Sequence, residues 1–251
     1  MVSKQSLEGK TALITGSSKG IGKSIALAFA REGVEVIIVS HGNPKEGLSV
    51  LEEIEKENGK GKYFNADLSN EKGVTKLFDE IARHYSQIDI LVNNVGHSFS
   101  TNFEDIAEDT LLRDLRCNFI ATVLCSKRVR AFMPKGGHII NTSSIRGIDY
   151  SGRIPLIGYC AGKAAVNSFT KNLAMEYAPD IFVNAVAPGF VWTEALSKSG
   201  EELISKWKKT IPIGRFIMPD ELAEVYVQIA KSSIFTGSVI VADGGYTVLE
   251  K

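Results

Sequence analysis

The sequence predicts a single doubly wound α/β domain with a mostly parallel, seven-stranded sheet and helices on both faces. Short runs rich in β-branched residues alternate with longer amphipathic runs along the chain, and no linker rich in Pro, Gly or Ser interrupts them. The chain has 251 residues, of which 44% are hydrophobic, so it can bury one large core. We therefore expect one domain over residues 1–251, with the Rossmann type of winding.

The predicted strands and helices alternate from the first strand to the last. The strands are predicted, in order, at TALIT, VEVIIVS, KYFNA, DILVNN, HIINTSS, IFVNAVA and GSVIVA. Helices are predicted at GIGKSIALAFAREG, LSVLEEIEKENG and VTKLFDEIARHY, over a long region ending at Met133, and around Tyr159. Segment 190–217 has short helical periodicity and Pro/Gly punctuation, which makes it a candidate lid over a site.

Charge and cysteine content narrow the classes of partner. The 29 basic residues balance the 29 acidic ones, so no overall field favours nucleic acid or a membrane surface, and a small molecule is the expected partner. Three cysteines stand at spacings that match no metal site, which favours reduced thiols and no bound metal. No apolar run has the length of a signal peptide core or of a membrane span, so we expect a cytoplasmic protein.

The stretch TGSSKGIG follows the first predicted strand and opens the first predicted helix, as a dinucleotide-binding loop does. Gly16, Gly20 and Gly22 lack the Cβ atoms that would prevent a tight turn and close approach of the backbone to a pyrophosphate. The helix N-terminus adds free N–H groups and a positive dipole end. Taken alone, the glycines could also serve merely to turn the chain.

The end of the second strand bears on the choice of nucleotide. An acidic residue there would bind the adenosine ribose diol and repel a 2′-phosphate, but Ser40, His41, Gly42 and Asn43 include none. Lys19, within the glycine loop, supplies a positive charge that could face the phosphate. These residues favour NADP over NAD. His41 could assist or could be a solvated loop residue.

Tyr159 and Lys163 are four residues apart in a predicted helix, so their side chains share one face. A free phenol has a pKa of about 10, and a nearby ammonium stabilises the phenolate and lowers that value. The pair could thus exchange a proton with a substrate. By spacing alone, the pair could also be two ordinary surface residues. A catalytic role is favoured because the same chain contains the glycine loop, Ser144 after the fifth strand and PGFVWT after the sixth.

Seven motifs, in order, resemble those of the short-chain dehydrogenase/reductase family over essentially the whole chain. They are TGSSKGIG at 15–22, NNVG at 93–96, Asn118, NTSS at 141–144, YCAGK at 159–163, PGFVWT at 188–193 and DGG at 243–245. The resemblance is to 3-oxoacyl-acyl-carrier-protein reductases and related NADP-dependent carbonyl reductases. It implies hydride transfer between NADP(H) and a carbonyl or secondary alcohol, in a homotetramer or homodimer.

The resemblance also implies residue roles. Tyr159 would be the acid/base, Lys163 would hold the nicotinamide ribose and lower the phenol pKa, and Ser144 would bond the substrate oxygen. Asn118 would hold a water that links Lys163 to solvent. The implied cofactor contacts are Gly16, Ser18, Lys19, Gly20, Ile21, Gly22, Ser40, His41, Asp67 and Leu68 near the adenine, Asn94, Gly96, Tyr159, Lys163, Pro188, Gly189, and Val191 and Thr193 at the nicotinamide amide. By its position alone, Asp67 could instead cap a helix, although Ser69 or Asn70 is the better candidate for a cap.

The substrate cannot be carried over from the family. NNVG replaces the more usual NNAG, and the segment between Ser144 and Tyr159, which borders the substrate in relatives, is longer than the common spacing. We expect His97, Arg146, Arg153 and Trp192 to contact substrate, and the two arginines and the histidine suit a polar or anionic compound; a plain loop role is the alternative.

Several functions remain open from the sequence. Within the enzyme class they are a 3-oxoacyl-acyl-carrier-protein reductase, a sugar or polyol dehydrogenase and a ketone reductase. Outside it, a catalytically silent NADP-binding sensor or scaffold would keep the same fold, because a fold alone does not prove activity.

Overall fold

A computed structural model describes residues 6–148 and 153–248 of the chain. Its sheet has seven parallel strands in the order β3-β2-β1-β4-β5-β6-β7. The strands are β1 Thr11–Thr15, β2 Glu35–Ser40, β3 Gly61–Asn65, β4 Ile90–Asn93, β5 Gly137–Thr142, β6 Ile181–Pro188 and β7 Val239–Ala242. The order reverses direction between β1 and β4, which makes a crevice at the carboxyl ends of these strands.

Nine helices connect these strands in the described part of the chain. They are α1 Gly20–Arg31, α2 Pro44–Lys56, α3 Glu71–Ile81, α4 Glu108–Leu115, α5 Ala121–Val129, α6 Ile157–Tyr177, α7 Glu194–Ser197, α8 Glu201–Lys209 and α9 Pro219–Ala230. Short 3-10 turns lie at Phe103–Asp105, Ile145–Gly147 and Tyr246–Val248.

The sheet is covered on both faces, and each face has its own hydrophobic core. One core joins α1, α2 and α9, through residues such as Phe29, Ile54 and Tyr226. The other joins α3, α5 and α6, through residues such as Phe78 and Val129. Because both faces are buried, the strands are nearly continuous apolar runs, as parallel strands usually are. The predicted fold class is confirmed.

Helix boundaries follow local chemistry that a hydrophobic pattern does not show. Helix α2 begins at Pro44, earlier than the predicted run from Leu48, because the Asn43 side chain accepts a hydrogen bond from the Lys45 N–H and proline suits the first turn. Asn70 caps α3 by accepting from the Gly73 N–H at 2.9 Å, as one of the two candidate caps predicted.

The long middle helix contains an irregularity that the sequence did not reveal. A π-helical turn, Arg116–Ile120, links α4 to α5 and carries Asn118. The helix ends at Val129, short of the predicted Met133, and Pro134 disfavours helical conformation at Met133 itself. Such π turns often occur at functional sites, since they redirect one side chain out of the helical register.

No helix within residues 6–148 and 153–248 is long and apolar enough to cross a membrane.

Candidate active site

The glycine loop forms a tight cradle between β1 and α1. Gly16 and Gly20 have φ angles of 66° and 54°, in the left-handed region that favours glycine. A Cβ atom on Gly22 would collide with the carbonyl oxygen of Gly16. These contacts show that the glycines let the loop close on itself at the N-terminus of α1, where a pyrophosphate group would approach.

Thr15 and Asn94 hold this cradle to the end of β4. The Asn94 side-chain amide donates to the carbonyl oxygens of Thr15 and Gly16, both at 3.1 Å. The Thr15 hydroxyl oxygen accepts from the N–H groups of Asn94 at 3.0 Å and Val95 at 3.1 Å. Sequence reasoning missed Thr15; its one signal was a polar residue at the end of an otherwise apolar strand.

A cavity of about 990 Å³ lies at the carboxyl edge of the sheet. It brings together nearly all the predicted cofactor residues: Gly16, Ser18, Lys19, Ile21, Gly22, Ser40, His41, Asp67, Leu68, Asn94, Gly96, Tyr159, Lys163, Pro188, Gly189, Val191 and Thr193 line it. Gly20 is the one member of the predicted set that does not line the cavity. Its left-handed backbone conformation instead contributes to the turn of the loop.

The end of β2 is polar but has no carboxylate at positions 40–43. Ser40 lies 3.2 Å from the Tyr63 hydroxyl. Lys19 is exposed, and its Nζ lies 3.7 Å from a carboxylate oxygen of Glu46, on the first turn of α2. Glu46 therefore competes with any phosphate for the charge of Lys19. An exposed ion pair of this kind contributes little energy.

Asp67 follows β3 and lines the same cavity as the end of β2. Its carboxylate accepts hydrogen bonds from the Ser69 N–H at 2.9 Å and from the Asn70 side chain at 3.1 Å. The backbone hydrogen bond from Ser69 is the main cause that lowers the pKa of Asp67. The carboxylate is therefore ionised and held in place, which suits a group that accepts hydrogen bonds from a nucleotide base.

Tyr159 and Lys163 share one face of α6, as their spacing predicted. The Lys163 Nζ lies 5.8 Å from the centre of the Tyr159 ring and donates to the Thr142 carbonyl at 2.8 Å. Lys163 is 3% exposed, and burial lowers its pKa to about 8. Cys117, which also lines the cavity, acts in the opposite direction on that pKa.

Burial and neighbouring groups act on the pKa of Tyr159 in opposite directions. Burial raises this pKa, and the hydrogen-bonded Ser144 and the charge of Arg146 lower it. The ammonium of Lys163 donates to the Thr142 carbonyl. Ser144 and Arg146 therefore moderate the acidity of this phenol, and a lowering of its pKa by Lys163 stays a prediction.

Asn118 is completely buried and does not line the cavity. Its amide donates to the carbonyls of His97 at 2.8 Å and Asp114 at 3.0 Å, and its oxygen accepts from the His97 N–H at 3.0 Å. A Cβ atom on Gly96 would lie 2.9 Å from the Asn118 Oδ1 and 3.0 Å from the Lys163 Nζ. Asn118 therefore positions the loop after β4 against Lys163, and the lack of a side chain at Gly96 makes this packing possible.

Three of the four predicted substrate contacts line the cavity near Ser144, namely His97, Arg146 and Arg153. The His97 ring packs on Phe99, with ring centres 4.4 Å apart. The structure does not bring Trp192 to the cavity, because its ring packs on Phe216 at 5.4 Å. Trp207, on α8, lines the cavity.

Comparisons with known proteins agree with this geometry. A family model described as enoyl-(acyl carrier protein) reductase matches residues 16–247. The chain is 37% identical to a 3-oxoacyl-[acyl-carrier-protein] reductase of Aquifex aeolicus, over 95% of this chain and 98% of that protein. It is 35% identical to glucose and ribitol dehydrogenase homolog 2 of Arabidopsis thaliana, over 96% and 87%.

Solved structures show the same relationship. A short-chain dehydrogenase from Burkholderia cenocepacia in complex with NADP superposes with a TM-score of 0.91 at 27% identity, covering 97% of this chain and 100% of that one. The fold and the site define a nucleotide-dependent oxidoreductase. The protein belongs to the short-chain dehydrogenase/reductase family.

The described residues contain no group of three or more His, Cys, Asp or Glu side chains that could hold a metal ion.

The Thr15 clamp predicts a stability effect. Thr15→Val removes the oxygen that accepts two backbone N–H groups, and unsatisfied buried donors cost about 1–3 kcal/mol. We expect that loss of unfolding free energy in urea titrations, together with weaker binding of NADP(H), because the glycine loop loses its anchor. Thr15→Ser retains the hydroxyl and should restore most of both. Wild-type stability in Thr15→Val would show that the clamp is dispensable.

The buried ammonium predicts a pH effect. The folded pKa of Lys163, about 8, lies below its ordinary value of 10.5, so the unfolded chain binds more protons between these pH values and stability rises with pH in that window. Relative to Lys163→Met, the wild type should gain up to about 3 kcal/mol of unfolding free energy from pH 8 to pH 10.5. Urea titrations of both proteins across this range measure the difference, in which other titrating groups cancel. A difference that stays constant with pH would contradict the lowered pKa.

Proposed function

We propose that the protein reduces a carbonyl compound with NADPH, with Tyr159 as the proton donor. The observation that carries the proposal is the convergence of Ser144, Tyr159 and Lys163 at one wall of a cavity whose other end is the glycine cradle. The hydrogen bond between Ser144 and Tyr159 puts two hydroxyl groups at one point, where a carbonyl oxygen could accept from both.

The residues present fit a dinucleotide. The close packing at Gly16 and Gly22 lets the loop turn tightly at the N-terminus of α1, which suits a phosphate, and the fixed carboxylate of Asp67 suits the edge of a base. When bound, NADPH would supply the hydride. Lys163 would hold the nicotinamide ribose, and Val191 and Thr193 would bind the amide at the cavity wall that they line.

The surroundings of Tyr159 bear on the proton transfer. Burial raises the pKa of Tyr159, so the phenol is protonated at neutral pH but is a weaker acid than a free phenol, and groups that stabilise the phenolate assist the transfer. Ser144 and Arg146 stabilise the phenolate that remains after the transfer. Asn118 acts as a positioning residue: it fixes the loop at Gly96 against the Lys163 ammonium and could hold a water that returns the proton.

The preference for NADP rests on the charges around the end of β2. Positions 40–43 carry no acid, and Lys19 is free to leave its weak pairing with Glu46 for a 2′-phosphate. The Burkholderia cenocepacia relative in complex with NADP supports this choice. His41, which also lines the cavity, would be a second group near the phosphate.

Segment 190–217 is proposed as the substrate lid. It contains α7 and α8, and Trp207 on α8 stacks on Phe190 with ring centres 5.6 Å apart. Both rings line the cavity. Closure of these rings over a bound carbonyl would exclude water from the site.

We also propose that the protein is a homotetramer or homodimer of a reducing compartment such as the cytoplasm. Met175 on α6, Val241 on β7 and Val248 are exposed at 81%, 42% and 79%, which a second copy could cover. The three cysteines are free, as they are in reducing compartments.

Two relatives with different substrates match this chain nearly equally, an acyl-carrier-protein reductase and a glucose and ribitol dehydrogenase homologue. Their names therefore do not select a substrate. A catalytically silent NADP-binding protein is disfavoured by the hydroxyl, phenol and ammonium groups that stand together at the cavity wall.

Tyr159→Phe tests the proton donor. The change removes the acid and keeps the ring, so NADPH consumption with a panel of carbonyl compounds should fall by about 10²–10⁴-fold while NADPH binding survives. Tyr177→Phe, at the far end of the same helix, is the matched control and should keep normal turnover. Near-normal turnover in Tyr159→Phe would refute the assignment.

Lys19→Ala tests the nucleotide preference. It should weaken NADP(H) binding by about 1–2 kcal/mol, the size of one charge-assisted hydrogen bond, and leave NAD(H) nearly unchanged. Titration of both nucleotides by fluorescence measures the effect, and Lys72→Ala, at an exposed position on α3, is the control. Equal losses for both nucleotides would show that Lys19 supports the loop and not the 2′-phosphate.

A further inference from the structure

Four arginines line the cavity in addition to the lysines assigned to the cofactor. They come from different elements: Arg113 from α4, Arg116 from the π turn, Arg146 from the 3-10 turn after β5, and Arg153 from the approach to α6. Sequence reasoning found the last two and missed Arg113 and Arg116. Their elements meet at the end of the cavity that holds Ser144 and Tyr159.

Three of these guanidinium groups lie over an aromatic ring. The Cζ atoms lie 4.0 Å from the ring centre of Phe99 for Arg113, 5.3 Å from that of Tyr246 for Arg146, and 5.4 Å from that of Trp207 for Arg153. The Arg146 Nη2 also donates to the Tyr246 hydroxyl at 3.4 Å. Such cation–π contacts restrain a guanidinium while it keeps N–H donors for an anion.

The charge balance of the cavity points the same way. Among the described lining residues the acidic side chain is Asp67, which lies beyond β3 at the opposite end. Arg113 has one acidic neighbour, Asp114, at 3.5 Å in a loose geometry. Arg153 forms no ion pair with a carboxylate in residues 6–148 and 153–248. Arg113 and Arg153 thus bring positive charge to a cavity whose described lining holds a single acidic side chain, at the opposite end.

Arg146 connects this charge to the reacting group. It follows Ser144 by two residues, and its backbone N–H donates to the Ser144 hydroxyl oxygen at 3.1 Å. Its guanidinium is close enough to the Tyr159 phenol to stabilise the phenolate. An anion bound by Arg146 would therefore lie beside the carbonyl that Tyr159 protonates.

We propose that the substrate is a carbonyl compound that carries a carboxylate or phosphate group, and that Arg146 and Arg153 bind its anionic oxygens with Arg113 at the rim. The inference rests on the proposed reduction of carbonyls and narrows its substrate class. The guanidinium groups of Arg146 and Arg153 suit either anion, because carboxylate and phosphate both present oxygens that match the N–H groups of a guanidinium.

Matched pairs of substrates test the proposal. Oxo carboxylic acids and their methyl esters, and hydroxyketones with and without a phosphate group, are compared by kcat/KM with NADPH. One charge-assisted hydrogen bond corresponds to roughly ten- to hundred-fold, so an acid or a phosphate should exceed its neutral partner by at least that factor. The pair that shows the larger ratio identifies the anion. Neutral partners that react as well as the anions would overturn the proposal and leave carbonyl reduction intact.

Variants assign the preference to the arginines. Arg153→Gln and Arg113→Gln should each reduce the ratio of anionic to neutral kcat/KM, with NADPH binding unchanged, and Arg153→Lys should restore part of it. Arg83→Gln, at an exposed position after α3, is the matched control. Loss of NADPH affinity in Arg153→Gln, or an unchanged ratio in both variants, would show that these residues do not form a substrate site.

A binding experiment separates this inference from the proposed function. Malonate, dimethyl malonate and inorganic phosphate are titrated into the NADP-bound protein by calorimetry. Binding of malonate or phosphate that Arg153→Gln weakens about ten-fold supports the anion site even if no carbonyl in the panel is reduced, in which case the proposed function alone fails. Absence of binding by both anions overturns the anion site.

Discussion

The buried ammonium of Lys163 is the constraint on which the site depends. It is almost fully removed from water, which is costly for a charge unless polar groups compensate. Its compensation includes the Thr142 carbonyl, held by the end of β5. Because Gly96 has no side chain, Asn118 and the loop after β4 can close around the same ammonium. Thus the ends of two strands, a π turn and α6 are all arranged around one charge.

Burial also explains the directions in which the pKa values of Tyr159 and Lys163 are shifted. Burial raises the pKa of Tyr159 and lowers that of Lys163, so each change favours the neutral form. A neutral phenol is the form that donates a proton. The charge that opposes this trend at the phenol comes from Arg146, which the structure places both beside Tyr159 and among the stacked arginines. Proton donation and recognition of an anionic substrate would thus share one residue.

The opposite end of the cavity depends on hydrogen bonds more than on charge. Thr15 and Asn94 exchange bonds between the carboxyl ends of β1 and β4, the point where the strand order reverses. Because Asn94 bonds the Thr15 and Gly16 carbonyls, this clamp fixes the start of the glycine loop through its backbone. The fixed carboxylate of Asp67 lines the same cavity.

The sequence by itself determined the α/β class, the seven strands, the glycine loop and the Tyr159–Lys163 pair, because these are expressed in local periodicity and in short spacings. It did not reveal the π turn around Asn118, the start of α2 at Pro44 or the place of Trp192, since these depend on caps and on packing between distant segments. Only the tertiary structure decided that Lys163 is directed at the Thr142 carbonyl, that Arg146 acts on the phenol, and that Arg113 joins Arg146 and Arg153. The physical reason is that burial and charge act through space, and the residues that share this cavity are contributed by segments far apart in the chain.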